Sequence, residues 1–251
     1  MPVNVYGLTG VISISTGQYH TCALMSGGTG ACWGYNGNGG LGGGGNYAYA
    51  LSPVSVIGLG DGIAISAATL YTCALISDGT VKCWGSVPSF GSTVAVTVNG
   101  LTGVRGIAAG ENHTCALLSG GTVQCWGAND YGQLGNGTIT TSSVPVAVNG
   151  LNGVSAISAG LDHTCALRPS GTGACWGSNG YGELGIGSTT QSNTPNSISG
   201  LSGATAIAAG FHHTCALLSG GTVQCWGAND YGQLGDENTT NSSIPVSVVG
   251  L

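Results

Sequence analysis

One block of sequence occurs twice almost letter for letter, at residues 110–135 and again at residues 210–235. Weaker copies begin at Gly17, Ala68 and Gly160, so the chain repeats one unit five times. A unit that recurs at such a period is a supersecondary structure that buries its apolar face against its neighbours. The chain is therefore expected to fold as an array of similar units. Most of its residues are expected to stabilise the repeated unit and not to form a unique site.

Two short strands joined by a tight turn are predicted within each unit. In the third copy, residues 113–117 and residues 123–127 alternate with a period of two, which is typical of strands. The loop Ser119-Gly120-Gly121 joins them, and a hairpin loop of this length commonly ends in a left-handed residue, for which glycine is best suited. Every copy has glycine at that place: Gly28, Gly79, Gly121, Gly171 and Gly221.

This loop sets the register of the hairpin, so Leu117 is expected to face Val123 and Cys115 to face Cys125. Opposed residues of an antiparallel pair lie about 4.5–5.5 Å apart at Cα, which a disulfide accepts. Buried, reduced thiols are the alternative, whereas zinc is disfavoured because it prefers cysteines with roughly two to four residues between them. We predict five disulfides: Cys22–Cys32, Cys73–Cys83, Cys115–Cys125, Cys165–Cys175 and Cys215–Cys225.

Composition excludes several classes of function. Only 5% of the residues are charged, and the basic ones are Lys82, Arg105 and Arg168. With a net charge of −6, the chain has no basic surface that could bind the phosphates of a nucleic acid. No run of about 18 apolar residues predicts a membrane span. The paired cysteines indicate an oxidising compartment, hence an extracellular or cell-surface location. The N-terminus reads as a repeat element and not as a signal peptide, so export requires either a leader already removed or another route.

Two further strands complete each unit. An inner strand rich in small residues precedes the hairpin, and an outer strand that usually begins with proline follows it. The first cysteines of successive units are 51, 42, 50 and 50 residues apart, a period typical of β-propeller blades. We predict an all-β, propeller-type array in one repeat domain over residues 1–251, with five four-stranded antiparallel blades: about residues 9–57, 58–98, 99–148, 149–198 and 199–248.

The first two units deviate from the others. The second has Tyr71 where the others have histidine, and it lacks the loop Asn-x-Tyr-Gly-Gln-Leu-Gly. The first has a drifting, glycine-rich stretch in the same place. The repeated residues form the scaffold, and a site specific to this chain is expected where the units deviate. A contact surface is therefore predicted in these two stretches. Its candidate residues are Tyr35, Tyr47, Tyr49, Pro88 and Phe90.

The motif Gly-x-x-His-Thr-Cys-Ala-Leu, followed by Gly-Thr-Val-x-Cys-Trp-Gly-x-Asn-x-Tyr-Gly-Gln-Leu-Gly, closely resembles the regulator of chromosome condensation repeat, in its alpha-tubulin suppressor-like branch. The resemblance covers nearly the whole chain. It implies a β-propeller of four-stranded blades, usually seven. Nuclear members of that family exchange nucleotide on a small GTPase or bind chromatin, and many bacterial members look secreted. The chain departs from the nuclear members in its five repeats and its lack of a basic surface, so their activity is not carried over.

The outer-strand pattern occurs six times, whereas the other three strands occur five times: residues 2–8, 53–59, 94–101, 145–151, 195–201 and 245–251 carry it. Residues 2–8 are thus predicted to be an extra outer strand. Three explanations stay open: an excerpt of a longer array such as an incomplete seven-bladed propeller, a ring closed on five blades with a frayed end, or pairing with the next molecule in head-to-tail assembly. The assembly strands would contain Val3, Val5, Val246 and Val248.

Two repeated positions invite a functional interpretation. The histidines are interpreted as structural, bonding the backbone of a neighbouring loop, with a metal ring as the weaker alternative: His20, His113, His163 and His213. The tryptophans are predicted to pack between adjacent blades on the face opposite the disulfide, with sugar-binding platforms as the alternative: Trp33, Trp84, Trp126, Trp176 and Trp226.

No Ser-His-Asp set and no paired carboxylates outside the repeat are found, so we predict no catalytic residue, no metal and no cofactor. The sequence favours a non-enzymatic extracellular scaffold that binds a protein partner or assembles with itself. A propeller module that presents a loop face to a protein or glycan is the alternative. A glycan-active enzyme is a remote third hypothesis.

Overall fold

A computed structural model describes residues 3–87 and 90–250, and these residues form five sheets of four antiparallel strands. Within each sheet the strands follow the order of the chain, from the inner strand through the hairpin to the outer strand. Each sheet is one blade, and the blades are numbered 1 to 5 along the chain. The predicted all-β fold of five four-stranded blades is confirmed. None of the described segments is a helix that could cross a membrane.

The strands of the five blades have the following bounds: blade 1, β1 (Val11–Thr16), β2 (His20–Met25), β3 (Gly30–Tyr35) and β4 (Tyr49–Ser55); blade 2, β5 (Gly62–Ala67), β6 (Tyr71–Ile76), β7 (Val81–Val87) and β8 (Phe90–Thr97); blade 3, β9 (Val104–Ala109), β10 (His113–Leu118), β11 (Val123–Gly127) and β12 (Ser142–Ala147); blade 4, β13 (Ala156–Ala159), β14 (His163–Leu167), β15 (Gly173–Gly177) and β16 (Ser192–Ser197); blade 5, β17 (Ala204–Ala209), β18 (His213–Leu218), β19 (Val223–Gly227) and β20 (Ser242–Ser247).

The central hairpin of each blade has the predicted register. In blade 3, Leu117 pairs with Val123 and Cys115 pairs with Cys125. Gly121 closes the turn at φ +75°, a left-handed conformation that side chains other than glycine rarely adopt. The five disulfides form as predicted, one per blade, with Cα atoms 4.1 Å apart in each pair.

The outer strands begin earlier than the proline signal predicted. In blade 3, β12 starts at Ser142 and carries Pro145 in its interior. The ladder between β11 and β12 is irregular there, since its register shifts between Cys125 and Gly127. An edge strand tolerates proline at such an irregularity because the missing N–H need not join a ladder.

The extra outer strand predicted for residues 2–8 is not formed by the described residues 3–8. In every blade, the strand that could pair with it is already covered by the fourth strand of the same blade. Residues 3–5 therefore have no ladder to join, and Val3 is 88% exposed and Val5 45% exposed. Val246 lies within β20 of blade 5, and Val248 follows it.

The hydrophobic core lies between the blades. Each blade has a disulfide face and a tryptophan face, and the disulfide face of one blade packs on the tryptophan face of the next. Between blades 3 and 4, for example, Leu117 and Leu134 of blade 3 pack with Ala166 and Trp176 of blade 4. Similar clusters join blades 1 and 2, blades 2 and 3, and blades 4 and 5. We name these four contacts interfaces 1/2, 2/3, 3/4 and 4/5.

Candidate interaction surface

A four-residue turn leads into the first hairpin strand of each blade. In blade 3, the Gly110 N–H donates to the His113 carbonyl at 2.8 Å, and the Ala128 N–H donates to the Asn112 carbonyl at 2.8 Å. Gly127 makes this second contact possible, because a Cβ there would lie 2.4 Å from the Asn112 carbonyl oxygen. The backbone of the two middle residues is therefore held in place whatever their side chains are.

The two middle residues of this turn differ in every blade, although the residues around them repeat. All five turns share the hydrogen bond from the first residue to the fourth, at 2.8–2.9 Å. We call the middle pairs the mouth dipeptides: Gln18-Tyr19, Thr69-Leu70, Glu111-Asn112, Leu161-Asp162 and Phe211-His212. A fixed backbone with five different pairs of side chains is the arrangement expected of a surface that distinguishes one partner from another.

The five turns meet on one side of the array, at the ends of the inner strands. Together with the ends of the inner strands they line a shallow cavity of about 270 Å³. The turns of blades 3, 4 and 5 are also linked through their backbones, since the Glu111 N–H donates to the Leu161 carbonyl at 3.2 Å and the Leu161 N–H to the Phe211 carbonyl at 3.3 Å. The mouth dipeptides thus belong to one continuous surface.

Acidic and aromatic side chains dominate this surface on blades 3 to 5. Burial raises the pKa of Asp162 above its usual value, and burial together with the charge of Asp162 raises the pKa of Glu111. Phe211 is 53% exposed. His212 stacks on Tyr181 of the neighbouring blade, with ring centroids 4.7 Å apart. Because carboxylates and rings stand side by side, the surface suits a partner that offers a cation next to an apolar group.

Three of the four repeated histidines, His20, His113 and His163, lie at interfaces between blades. His113 Nε2 is 2.8 Å from the Thr164 hydroxyl of the next blade, and that hydroxyl donates to the Gln133 carbonyl at 3.1 Å. Since the hydroxyl proton is used in this way, His113 donates from Nε2. Burial lowers the pKa of His113 to about 4, so the ring is neutral at pH 7. The sequence predicted that the histidine bonds the backbone of a neighbouring loop. Instead, the Thr164 hydroxyl lies between the His113 ring and the loop carbonyl of Gln133.

The repeated tryptophans complete the same arrangement. The Trp176 indole N–H donates to the Gln133 carbonyl at 2.9 Å, so one loop carbonyl accepts from both threonine and tryptophan of the next blade. Two other interfaces have the same histidine–threonine–carbonyl–tryptophan set: His20, Thr72, Gly40 and Trp84 at interface 1/2, and His163, Thr214, Glu183 and Trp226 at interface 4/5. Trp33, on the uncovered face of blade 1, is only partly buried.

The two irregular stretches predicted as contact loops adjoin each other. They line a polar cleft of about 770 Å³, to which Asn38, Tyr47 and Thr93 contribute. Tyr35 is 39% exposed and Tyr49 66% exposed. Pro88 and the side chain of Phe90 lie outside the described residues.

Sequence reasoning missed the mouth dipeptides. The sequence did contain a signal for them. The pattern Gly-x-x-His recurs in four of the five copies, whereas the two residues at its centre differ in every copy. What the sequence did not supply was the arrangement of the five turns around one shallow cavity, which brings the first residue of each pair to a common surface. Among the side chains that the structure describes, no group of three or more His, Cys, Asp or Glu residues is placed to hold a metal ion.

Comparison with known proteins gives the following likenesses. A family model described as an RCC1-like domain matches residues 1–251. The structure of yeast RCC1 (Prp20) bound to Kap60 has a TM-score of 0.83 at 22% identity, over 96% of this chain and 64% of that one. Human WBSCR16 has a TM-score of 0.84 at 22% identity, over 96% of this chain and 67% of that one.

A third similar structure is the CRINKLY WD40 ectodomain of the Arabidopsis thaliana receptor kinase ACR4. Its TM-score is 0.57 at 22% identity, over 97% of this chain and 69% of that one. At such identities the likeness establishes the fold alone. The chain spans about two thirds of the length of these structures. A search of curated proteins finds no match.

Proposed function

Since this chain belongs to the RCC1-like domain family, we propose that it is a non-enzymatic interaction module that binds a protein partner through the mouth dipeptides. The observation that carries the proposal is the contrast between five repeated turns and five different side-chain pairs on them. The partner would present a basic residue beside an apolar one, to meet Glu111 and Asp162 next to Phe211. Yeast RCC1, of similar fold, was solved in complex with another protein, Kap60.

Support for a non-enzymatic role comes from how the repeated polar groups are used. His20, His113 and His163 are buried and bonded across interfaces, and burial lowers their pKa values to about 4, 4 and 3, so that they are neutral near pH 7. The Gln133 side chain accepts from the Tyr131 N–H at 3.0 Å and donates to Asp162 at 3.0 Å. These groups support the fold, and the side chains at the mouth are left for recognition.

An extracellular location is part of the proposal. Five disulfides persist only where the surroundings are oxidising. The similar domain of ACR4 is an ectodomain. Alkylation of the protein in fractions of its native cells tests this point: we expect an unfolded, unreduced sample to take up no thiol reagent, and ten reactive thiols would contradict the proposal.

The binding surface is tested by placing a photo-crosslinking amino acid at Phe211 and, as a matched control, at Val144, which is 59% exposed on the outer edge of blade 3. Irradiation on native cells or in their medium should give one discrete protein adduct from position 211 and none from position 144. Adding Glu111→Lys should abolish that adduct, because it removes a carboxylate from the mouth. Equal labelling from both positions, or no discrete adduct from position 211, would contradict the proposal.

Self-association is the second candidate function. Only 5% of the residues are charged, so few like charges oppose the stacking of one copy on another. Light scattering across a concentration series tests it, and a constant mass near 24.5 kDa would contradict it.

A further inference from the structure

The loop that follows the third strand is much shorter in blade 2 than in the blades on either side of it. Six residues, 86–91, separate Gly85 from its partner Ser92 on the outer strand. At the same place in blade 3, fourteen residues, 128–141, follow Gly127 before the chain pairs again. The room that the long loop fills at interfaces 1/2, 3/4 and 4/5 is therefore not filled by a loop at interface 2/3.

Where the long loop is present, three of its contacts with the next blade recur. A loop carbonyl accepts from the indole N–H of that blade at 2.9 Å: Gly40 from Trp84, Gln133 from Trp176 and Glu183 from Trp226. The leucine after each carbonyl is fully buried: Leu41, Leu134 and Leu184. A later loop N–H donates to a carbonyl of the outer strand at 2.8–2.9 Å: Gly44 to Thr93, Gly137 to Asn193 and Gly187 to Ser243. The loop thus supplies an acceptor, a branched apolar side chain and a donor.

At interface 2/3 the groups that would receive these contacts line a cavity of about 250 Å³. Trp126 corresponds to Trp176, and Ser143 corresponds to Asn193 on the outer strand. Among the residues that the structure describes, the Trp126 indole N–H lacks the acceptor that Trp176 has, and no loop N–H donates to the Ser143 carbonyl. Since Trp126 is only 5% exposed, its unpaired N–H is costly to leave without a partner.

The lining of the cavity limits the charge and the size of a ligand. Val98 and the disulfide Cys73–Cys83 contribute apolar surface, and none of the described lining residues is charged. Tyr71 also lines the cavity, but its hydroxyl proton is donated to the His113 carbonyl. An apolar cavity of roughly 150 Å³ can take up benzene. The larger volume at interface 2/3 therefore suits a neutral molecule of about the size of one capped amino acid.

We propose that this cavity binds a small neutral amide with a branched alkyl group, such as a capped leucine, in the place of the missing loop. The ligand carbonyl would accept from Trp126 Nε1–H, and the alkyl group would lie where Leu134 lies at interface 3/4. The ligand N–H would donate to the Ser143 carbonyl. The cavity reaches the surface between the outer strands of blades 2 and 3, where Val144 is 59% exposed, so a free molecule can enter. None of the mouth dipeptides lines it, in the part of the chain that the structure describes.

The probe for this site is N-acetyl-leucinamide, which carries the carbonyl, the N–H and the branched side chain that the loop supplies elsewhere. It is titrated into isotopically labelled protein while the indole N–H resonances are recorded by NMR. We expect a saturable shift of the Trp126 resonance, half complete at a concentration on the order of 1 mM. The indole groups that already bond a loop carbonyl are internal controls and should not move: Trp84, Trp176 and Trp226.

A second probe and three variants assign the contacts. N-acetyl-glycinamide lacks the side chain and should bind on the order of tenfold or more weakly. Ser143→Phe places a ring at the opening and should abolish the shift of Trp126. Leu51→Phe, at the equivalent place of blade 1 and 98% exposed, is the matched control and should bind as wild type. Trp126→Phe removes the donor and should weaken binding by about tenfold, measured through the backbone amide of Val98.

The three internal-control resonances also report whether each variant is folded. No saturable shift of Trp126 up to the solubility limit of the probe would overturn the proposal, and so would equal shifts of all the indole resonances. Equal affinity for N-acetyl-glycinamide would overturn the place assigned to the leucine side chain. Undiminished binding by Ser143→Phe would overturn the cavity as the site, and undiminished binding by Trp126→Phe would overturn the indole as the donor. The binding of a protein at the mouth dipeptides is tested separately and does not depend on these results.

Discussion

Interfaces 3/4 and 2/3 join similar blades by different polar contacts. At interface 3/4 the Gln133 carbonyl of the loop in blade 3 accepts from both Thr164 and Trp176. Blade 2 lacks that loop, so interface 2/3 has no equivalent carbonyl in the described residues. A cavity of about 250 Å³ lies there instead, lined in part by Tyr71 and Trp126.

The Tyr71 substitution is explained by the missing loop. Tyr71 donates its hydroxyl proton to the His113 carbonyl at 2.6 Å, and its oxygen lies 2.9 Å from the Thr114 hydroxyl. Thr114 has lost the loop carbonyl to which its counterparts donate, so it donates to Tyr71. At interface 2/3 the threonine of the later blade thus donates to Tyr71, whereas at interface 3/4 the threonine of the later blade, Thr164, accepts from His113. Two deviations that look separate in the sequence are therefore one structural adjustment.

The largest expected effect comes from breaking the tryptophan contact where the loop is present. Trp176→Ala removes a fully buried ring and its hydrogen bond to Gln133, so it should lower the free energy of unfolding by about 3–5 kcal/mol. Trp126→Ala should cost about 1 kcal/mol less, because Trp126 borders a cavity and has no loop carbonyl. Guanidinium unfolding followed by circular dichroism measures both, and equal losses would contradict the comparison.

Removing a disulfide should affect the two interfaces alike. Each closes the same short loop, with cysteines 10 residues apart. The chain-entropy model then gives about 3 kcal/mol for each. Replacing Cys115 and Cys125 by alanine, or Cys73 and Cys83, should lower the free energy of unfolding equally in the same assay. A clear difference between the two pairs would mean that the interfaces differ in more than the loop.

Acid should weaken interface 3/4 and spare interface 2/3. The pKa of His113 is about 4 when folded and about 6.5 when unfolded, so the unfolded state binds more protons between these values. Its contribution is complete above pH 6.5 and is lost as the pH falls toward 4. At pH 4.5 the loss should be roughly 2–3 kcal/mol, at about 1.4 kcal/mol per pKa unit.

The variant His113→Gln isolates that effect. Glutamine can still donate to Thr164 but does not titrate in this range, so part of the pH slope should disappear from unfolding measured between pH 7 and pH 4.5. The remaining slope belongs to other histidines, since burial also lowers the pKa of His20 to about 4 and that of His163 to about 3. A variant with the slope of the wild type would contradict the assignment.

What the sequence predicted well was local. The hairpin register and the disulfides depend on residues 10 apart, and an alternating pattern with a glycine turn determines both. The contact between His113 and Thr164 spans 51 residues. Predicting it requires knowing which face of one blade meets the next, which periodicity within one blade does not reveal.

The outer strand and the mouth dipeptides were missed for other physical reasons. Pro145 was taken as the start of its strand, but an edge strand accommodates proline inside it. Asp162 and His212 are local departures from the repeat. Their significance comes only from the arrangement of the blades, in which turns about 50 residues apart become neighbours and Asp162 lies near both Glu111 and His212.

The smallest expected effect comes from removing the Tyr71 hydroxyl, and this variant tests most directly whether Tyr71 compensates for the missing loop at interface 2/3. Tyr71→Phe keeps the ring and removes the hydroxyl, which leaves the Thr114 hydroxyl without its partner and takes one of two donors from the His113 carbonyl. Burying such groups unpaired costs about 1–3 kcal/mol, measured as lost free energy of unfolding. Tyr131→Phe, on a side chain 45% exposed, is the control and should change nothing measurable.

The variant Tyr71→His tests whether Tyr71 compensates for the loop that blade 2 lacks. Histidine would restore the donor found in the other blades, yet Thr114 would still have no loop carbonyl to receive its own proton. The histidine variant should therefore be no more stable than Tyr71→Phe. If it matched the wild type, the hydroxyl of Tyr71 would not be replacing the loop, and the two deviations in blade 2 would be independent after all.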